Sequence, residues 1–130
     1  MAAPKDVGLS ELQAAIVRVL WERGEASTAD VAQVLADARG LAHTTVATLL
    51  SRLEKRGVVS SRRDGRQLLY KPRVSEHQVR RSMVRELIES VFGGDTRALL
   101  AHLVREDEIA PADLAEARRL LKRAEGGGRD

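Results

Sequence analysis

Apolar residues recur at the spacing of an α-helix in six segments of this chain. Positions i, i+3, i+4 and i+7 share one face of a helix, so the pattern predicts six amphipathic helices. The apolar stripes run from Leu12 to Leu20, Val31 to Leu35, Val46 to Leu53, Val79 to Val91, Leu99 to Val104 and Leu114 to Ala124.

Residues that favour helix starts stand directly before these stripes. Ser10 begins the capping-box sequence SELQ, and Ser27 is followed three residues later by Asp30. The remaining start signals are Ser75, Asp95 and Pro111. Trp21 lies beside the first stripe and is interpreted as a helix-packing residue.

The segment after the third helix predicts a β-hairpin. Gly57 ends that helix, and two short runs follow that are separated by Asp64-Gly65, a strong two-residue turn signal. Two short helices, a third helix and a hairpin form a winged helix-turn-helix. The predicted fold is therefore mainly α, with a winged-helix domain over residues 9–73 and a three-helix dimerisation domain over 74–124. Residues 1–8 and 125–130 are predicted to be flexible tails.

The polar face of the third helix is typical of a helix that enters a DNA major groove. It carries short hydroxyl side chains and cations, which hydrogen-bond base edges or contact the thymine methyl group. The predicted base contacts are Thr44, Thr45, Ala47, Thr48 and Arg52.

The cations of the chain are concentrated on this same unit. Residues 43–73 hold eight Lys or Arg against two carboxylates, a local charge of +6 in a chain of net charge +3. Such a patch suits the phosphates of double-stranded DNA, although any single cation could equally be a solvated surface charge. The predicted contacts to the DNA backbone are His43, Ser51, Lys55, Ser61, Arg62, Arg63 and Arg66.

The last three predicted helices carry broad apolar stripes and little net charge. Helices this short are not stable alone, so we expect them to pack against a second copy of the chain. A two-fold homodimer would place two recognition helices about 34 Å apart and require a pseudo-palindromic operator. The predicted dimer interface is Val79, Met83, Leu87, Val91, Leu99, Leu103, Leu114 and Leu121.

The sequence carries no signal for catalysis, a cofactor or a metal. It has no cysteine, its three histidines form no ligand motif, and its Gly-Gly pairs mark helix ends. No long apolar run or signal peptide is present, so we expect a soluble cytoplasmic protein without membrane insertion.

Five strings follow one another along the chain, namely LSELQAAIVRVLWERG, TTVATLLSRLEKRGVV, DGRQLLYKPRVSE, FGGDTRALLAHLVRE and PADLAEARRLLK. Together they resemble the BlaI/MecI-type penicillinase repressor family over about Leu9 to Arg123. The resemblance implies a homodimeric winged-helix repressor whose operators are dyads built on TACA and TGTA.

The resemblance also implies how repression is relieved. In the β-lactam resistance members a membrane sensor protease signals cleavage of an Asn-Phe bond in the fifth helix, and that bond aligns with His102-Leu103 here. The different residue pair argues against cleavage by such a sensor. Two alternative functions stay open, a winged-helix protein-interaction module and a ligand-responsive regulator without proteolytic control. Ala110 replaces the family's usual Ser or Asp cap before the last helix, and the lack of cysteine excludes copper sensing through cysteine motifs.

Overall fold

A computed structural model describes residues 7–127 of the chain. Within that range the predicted helices all form, together with a small antiparallel sheet that includes the predicted hairpin. In chain order the elements are α1 (Glu11–Arg23), β1 (Ala26–Ser27), α2 (Thr28–Arg39), α3 (His43–Lys55), β2 (Val59–Asp64), β3 (Gln67–Pro72), α4 (Glu76–Phe92), α5 (Thr96–Arg105) and α6 (Pro111–Gly127).

Side chains cap the helices largely as the sequence predicts. Ser10 and Gln13 form a reciprocal capping box at α1, and Ser27 and Asp30 form one at α2. The backbone N–H of Ser27 donates to Asp30, which is the main reason why the pKa of that carboxyl lies below its usual value. Each such cap stabilises its helix by about 1 kcal/mol.

The hairpin turn lies one residue later than predicted. Asp64 still pairs with Gln67, so the two-residue loop is Gly65-Arg66 rather than Asp64-Gly65. Gly65 has a φ of 64° and Arg66 does not share this left-handed conformation, which is the pattern of a type II′ turn. The shift places Arg66 itself at the tip of the hairpin.

The short strand β1 was not predicted from the sequence. Ala26 and Ser27 pair with Tyr70 and Leu69 of β3, so the sheet order is β1-β3-β2. This pairing fastens the hairpin to the segment that joins α1 to α2.

The chain separates into a first compact unit that ends at Glu86 and a second that begins at Leu87. In the first unit, buried aliphatic residues of α1, α2 and α3 pack with β2 and β3 in one core. Val7 and Val79 both belong to this core. The first unit therefore includes a residue from the predicted N-terminal tail and the first turns of α4, beyond the predicted boundary at 73. Residues 1–6 of that tail lie outside the described residues.

The second unit holds the end of α4 together with α5 and α6. The side chain of Asp95 caps α5 as predicted. The N–H of Ala110 donates to the carboxylate of Asp113 at 3.0 Å, so half of a capping box remains at α6 despite the missing cap side chain. Helix α6 continues to Gly127, into the predicted C-terminal tail, and residues 128–130 lie outside the described residues. None of the helices among residues 7–127 is long and apolar enough to cross a membrane.

Candidate nucleic-acid interface

Helix α3 divides into a buried face and an exposed polar face. Val46, Leu50 and Leu53 are fully buried in the core of the first unit, which fixes the orientation of the helix. The opposite face is open to solvent and holds the predicted base contacts, with Ala47 half-buried at its edge. The exposed predicted contacts on this helix are His43, Thr44, Thr45, Thr48, Ser51, Arg52 and Lys55.

The hydroxyl of Thr48 is already engaged within the helix. Its Oγ1 donates to the carbonyl oxygen of Thr44 at 3.0 Å. A threonine bonded in this way keeps its oxygen free to accept and its methyl group free for apolar contact. Thr48 can therefore meet a base edge through its methyl group or by accepting a hydrogen bond, whereas its hydroxyl hydrogen is already used within the helix.

The start of α3 faces a groove that the hairpin completes. Within residues 7–127, no side chain caps this helix, because its N-cap residue is Ala42. The groove has a volume of about 320 Å³. It is lined by Ser27, Thr28, Ala29, His43, Arg63, Arg66, Gln67 and Leu68. A histidine and two guanidinium groups around one concavity, next to a helix start without a side-chain cap, suit a phosphate oxygen.

The two faces of strand β2 make different contacts. The hydroxyl of Ser61 donates to Glu54 of α3, so Ser61 lies on the strand face toward α3, away from the tip of the hairpin where the sequence placed it. Arg62 points to the other face, because successive side chains of a strand alternate. Arg62 therefore lies outside the groove that Arg63 and Arg66 line, and its contact with the DNA backbone stays a prediction.

Arg62 is held by an ion pair with Glu25. Its Nε and Nη2 donate to the two carboxylate oxygens of Glu25, each at 2.9 Å. These hydrogen bonds are the main reason why the pKa of Glu25 is lowered and that of Arg62 is raised. Glu25 had no predicted role, since nothing in the sequence connects two residues that are 37 positions apart.

Arg56 lies outside the surface that α3 and the hairpin form. Arg56, which the sequence counts in the basic patch, turns away from the hairpin and donates to the carbonyl oxygen of Gly8 at 2.7 Å and to Gln13.

Burial raises the pKa of the Tyr70 phenol, and the charge of Glu54 raises it further. Tyr70 therefore stays neutral at physiological pH and serves as a core residue under the hairpin.

The predicted dimer residues fall into three groups. Val79 is buried in the core of the first unit and is not available to a second copy, so this prediction is wrong. Leu99, Leu103 and Leu114 are half-buried, whereas Met83, Leu87, Val91 and Leu121 are exposed. The sequence prediction omitted further exposed aliphatic residues, namely Val84, Leu100, Val104 and Leu120.

An apolar groove of about 680 Å³ runs between α5 and α6 of the second unit. Leu100, Val104, Leu114 and Leu121 supply most of its aliphatic lining. His102 is exposed on α5 with its ring edge-on to Phe92 at 5.8 Å, and Leu103 beside it is half-buried. Within residues 7–127, no cluster of His, Asp or Glu is arranged to hold a metal ion.

Three helices closed by a β-hairpin, with a polar third helix and a basic hairpin tip, define a winged-helix protein of the DNA-binding class. The family model described as penicillinase repressor matches residues 9–123. The chain belongs to this family, whose members are transcriptional repressors and not enzymes.

Known proteins agree with this assignment. The chain is 38% identical over 122 residues to the transcriptional regulator BlaI of Mycobacterium tuberculosis. The aligned region covers 92% of this chain and 86% of that protein. It is 21% identical over 119 residues to the methicillin resistance regulatory protein MecI of Mammaliicoccus sciuri, covering 92% and 97% of the two chains. The solution structure of the DNA-binding domain of the repressor BlaI matches with a TM-score of 0.52 and 24% identity, over 60% of this chain and 93% of that one. This last likeness supports the winged-helix fold.

Proposed function

We propose that this protein is a homodimeric transcriptional repressor that binds a pseudo-palindromic operator in double-stranded DNA. The observation that carries the proposal is the joint surface of α3 and the hairpin. The exposed threonines of α3 lie on the same unit as a groove that combines His43, Arg63 and Arg66.

The two kinds of DNA contact divide along this surface. Thr44, Thr45, Ala47, Thr48 and Arg52 lie on or beside the exposed face of α3, which would enter the major groove and read base edges. Phosphates on either side of α3 would contact His43, Arg63 and Arg66 of the groove, and also Ser51 and Lys55. These contacts would fix the position of the helix along the DNA. Arg63 and Arg66 are the principal backbone contacts of the hairpin.

The second unit supplies the dimer contact. Six of its aliphatic residues are 42 to 64% exposed, and leaving this much apolar surface in water is unfavourable. A second copy related by two-fold symmetry would cover this surface. The exposed residues assigned to the contact are Leu87, Val91, Leu100, Val104, Leu120 and Leu121.

Relief of repression by a cut at His102-Leu103 is the finer form of this proposal. The bond lies inside α5, so a cut there would separate most of α5 from α6 and destroy the groove between them. A site for a specific protease engineered at these two positions tests the idea. Cleavage should convert the dimer to a monomer and release the DNA, and retention of both properties after complete cleavage would exclude this route.

The central test is the binding of genomic fragments selected by the full-length protein. We expect two chains per site, and we expect affinity to fall when about half a helical turn, roughly five base pairs, is inserted between the half-sites. We also expect affinity to fall steeply with salt, because the Arg and Lys contacts release counterions from the phosphates. A protein-interaction module would show no such salt dependence and no preference among fragments, which would overturn the proposal.

A further inference from the structure

The ion pair between Arg62 and Glu25 spans the full width of the sheet. Arg62 lies opposite Leu69 on β3, and Leu69 lies opposite Ser27 on β1, whereas Glu25 directly precedes β1. The pair thus joins two outer positions of the sheet that share no backbone hydrogen bonds. Its geometry is bidentate and its side chains remain 58% and 32% exposed, so solvent and other anions can reach it.

The position of Arg62 matters if the hairpin binds DNA as the proposed function requires. The minor groove is only about 6 Å wide and has a row of phosphates on each side. A two-stranded ribbon that enters this groove presents one face to each row. Arg63 lies on the face toward α3, and Arg62 lies on the other face, where it would meet the second row of phosphates.

We propose that Glu25 competes with the DNA backbone for Arg62 and thereby limits the affinity of the protein for unrelated sequences. In the free protein the Arg62 guanidinium is satisfied by an internal carboxylate. Contact with a phosphate requires Arg62 to leave Glu25, and the released carboxylate then stands close to a polyanion. Glu25 acts as a positioning residue that sets how much Arg62 contributes to binding.

The competition has a distinctive effect on salt dependence. An unpaired arginine that reaches a phosphate displaces about one counterion, which adds about 0.9 to the slope of log affinity against log salt. Arg62 is already neutralised by Glu25, and the carboxylate that it leaves behind attracts a cation from solution. Glu25 therefore cancels most of the counterion release that Arg62 would otherwise produce.

Glu22 offers a matched control for the charge of Glu25. It is exposed at the end of α1, three residues before Glu25, and its replacement by glutamine removes the same charge. The variants Glu25→Gln and Glu22→Gln therefore change net charge equally, and only the first one frees Arg62. The double variant Glu25→Gln with Arg62→Ala removes the freed cation.

The experiment measures binding of each full-length variant to an unrelated duplex of several helical turns, by fluorescence anisotropy over about 50 to 200 mM salt. For Glu25→Gln we expect a slope steeper by about 0.9 and, at the lowest salt, affinity higher by about two- to fivefold, the factor that corresponds to an exposed ion pair. Glu22→Gln should keep the original slope, and Arg62→Ala should lower the slope only in the Glu25→Gln background.

Three results would overturn the inference. Equal gains from Glu25→Gln and Glu22→Gln would show a general charge effect. A loss of affinity with Glu25→Gln, in a protein whose thermal unfolding is unchanged, would show that the pair braces the hairpin for binding. A gain that survives Arg62→Ala would exclude Arg62 as its source. If the unaltered protein binds no duplex at any salt, the proposed function itself fails, which is a separate outcome.

Discussion

The indole Nε1 of Trp21 donates a hydrogen bond to the carbonyl oxygen of Val74 at 2.9 Å, across 53 positions of the chain. Val74 is buried and lies between the end of β3 and the start of α4. The bond therefore fastens α1 to the point at which the chain leaves the hairpin. It also explains why the only tryptophan of the sequence lies beside the apolar stripe of α1 and not within it.

Replacing Trp21 with phenylalanine should lower the free energy of unfolding by about 1 kcal/mol or more, because the Val74 carbonyl loses its donor. Urea denaturation followed by circular dichroism measures the change. The exposed neighbour Glu22 serves as control, since Glu22→Gln should change stability by less than about 0.5 kcal/mol. Equal stability of the Trp21→Phe variant and the original protein would contradict the role of this bond.

Arg66 and Thr48 should affect DNA binding in different ways. Arg66→Ala removes a cation at the hairpin tip, so we expect weaker binding to every duplex and a salt slope smaller by about 0.9.

Thr48→Ala should leave the slope unchanged and alter base preference, measured by selection from a randomised duplex pool. The variant Thr48→Ser keeps the hydroxyl and loses the methyl group. If Thr48→Ser retains the original preference, contact through the methyl group is wrong.

A charge placed in the groove between α5 and α6 should prevent dimerisation. Leu100 is 49% exposed there, and burying an unpaired carboxylate costs about 3 kcal/mol. Leu100→Glu should therefore raise the dissociation constant of the dimer by roughly a hundredfold, as measured by analytical ultracentrifugation. Arg97→Glu adds a carboxylate elsewhere on the exposed surface of α5 and should leave the dimer intact. A dimer that tolerates Leu100→Glu would place the contact elsewhere.

The pKa of Glu25 should depend on Arg62. It lies below the usual value of 4.5 chiefly because Arg62 donates hydrogen bonds to the carboxylate, with Lys71 contributing through its charge. A carboxyl whose pKa is lowered by folding adds stability above its unfolded pKa, and this stability is lost as pH falls through the folded value. Arg62→Ala should raise the pKa of Glu25 in an NMR titration of its carboxyl carbon. Asp30, whose pKa is lowered by Ser27, should not change and serves as internal control.

The features that could be predicted from the sequence are those that depend on neighbours along the chain. The box of Ser10 and Gln13 spans three positions, and the stripe of Val46, Leu50 and Leu53 follows directly from helical periodicity. The turn residues also predict the hairpin, although the observed turn lies one residue later. Asp-Gly is a frequent turn pair, but the observed register puts the aspartate in the strand.

The features that were missed depend on contacts between distant residues. Strand β1 is only two residues long and exists because β3 lies beside it, so no local pattern marks it. Val79 continues the apolar stripe of α4, so the spacing predicts a dimer residue. The start of this stripe is buried in the core of the first unit, whereas Leu87 and Val91 further along it are exposed. The partner of Arg62 could not be predicted, because charge counting identifies cations and does not show which of them already hold a carboxylate.

The uncapped start of α3 offers a direct test of whether a phosphate binds there. The backbone amides of Thr44 and Thr45 lie in a first turn that has no intrahelical acceptor for them. In the free protein their hydrogens should exchange rapidly with solvent deuterium. A phosphate oxygen bound at this turn would accept hydrogen bonds from both amides and slow their exchange. The exchange rates of Thr44 and Thr45 would therefore report whether DNA is bound.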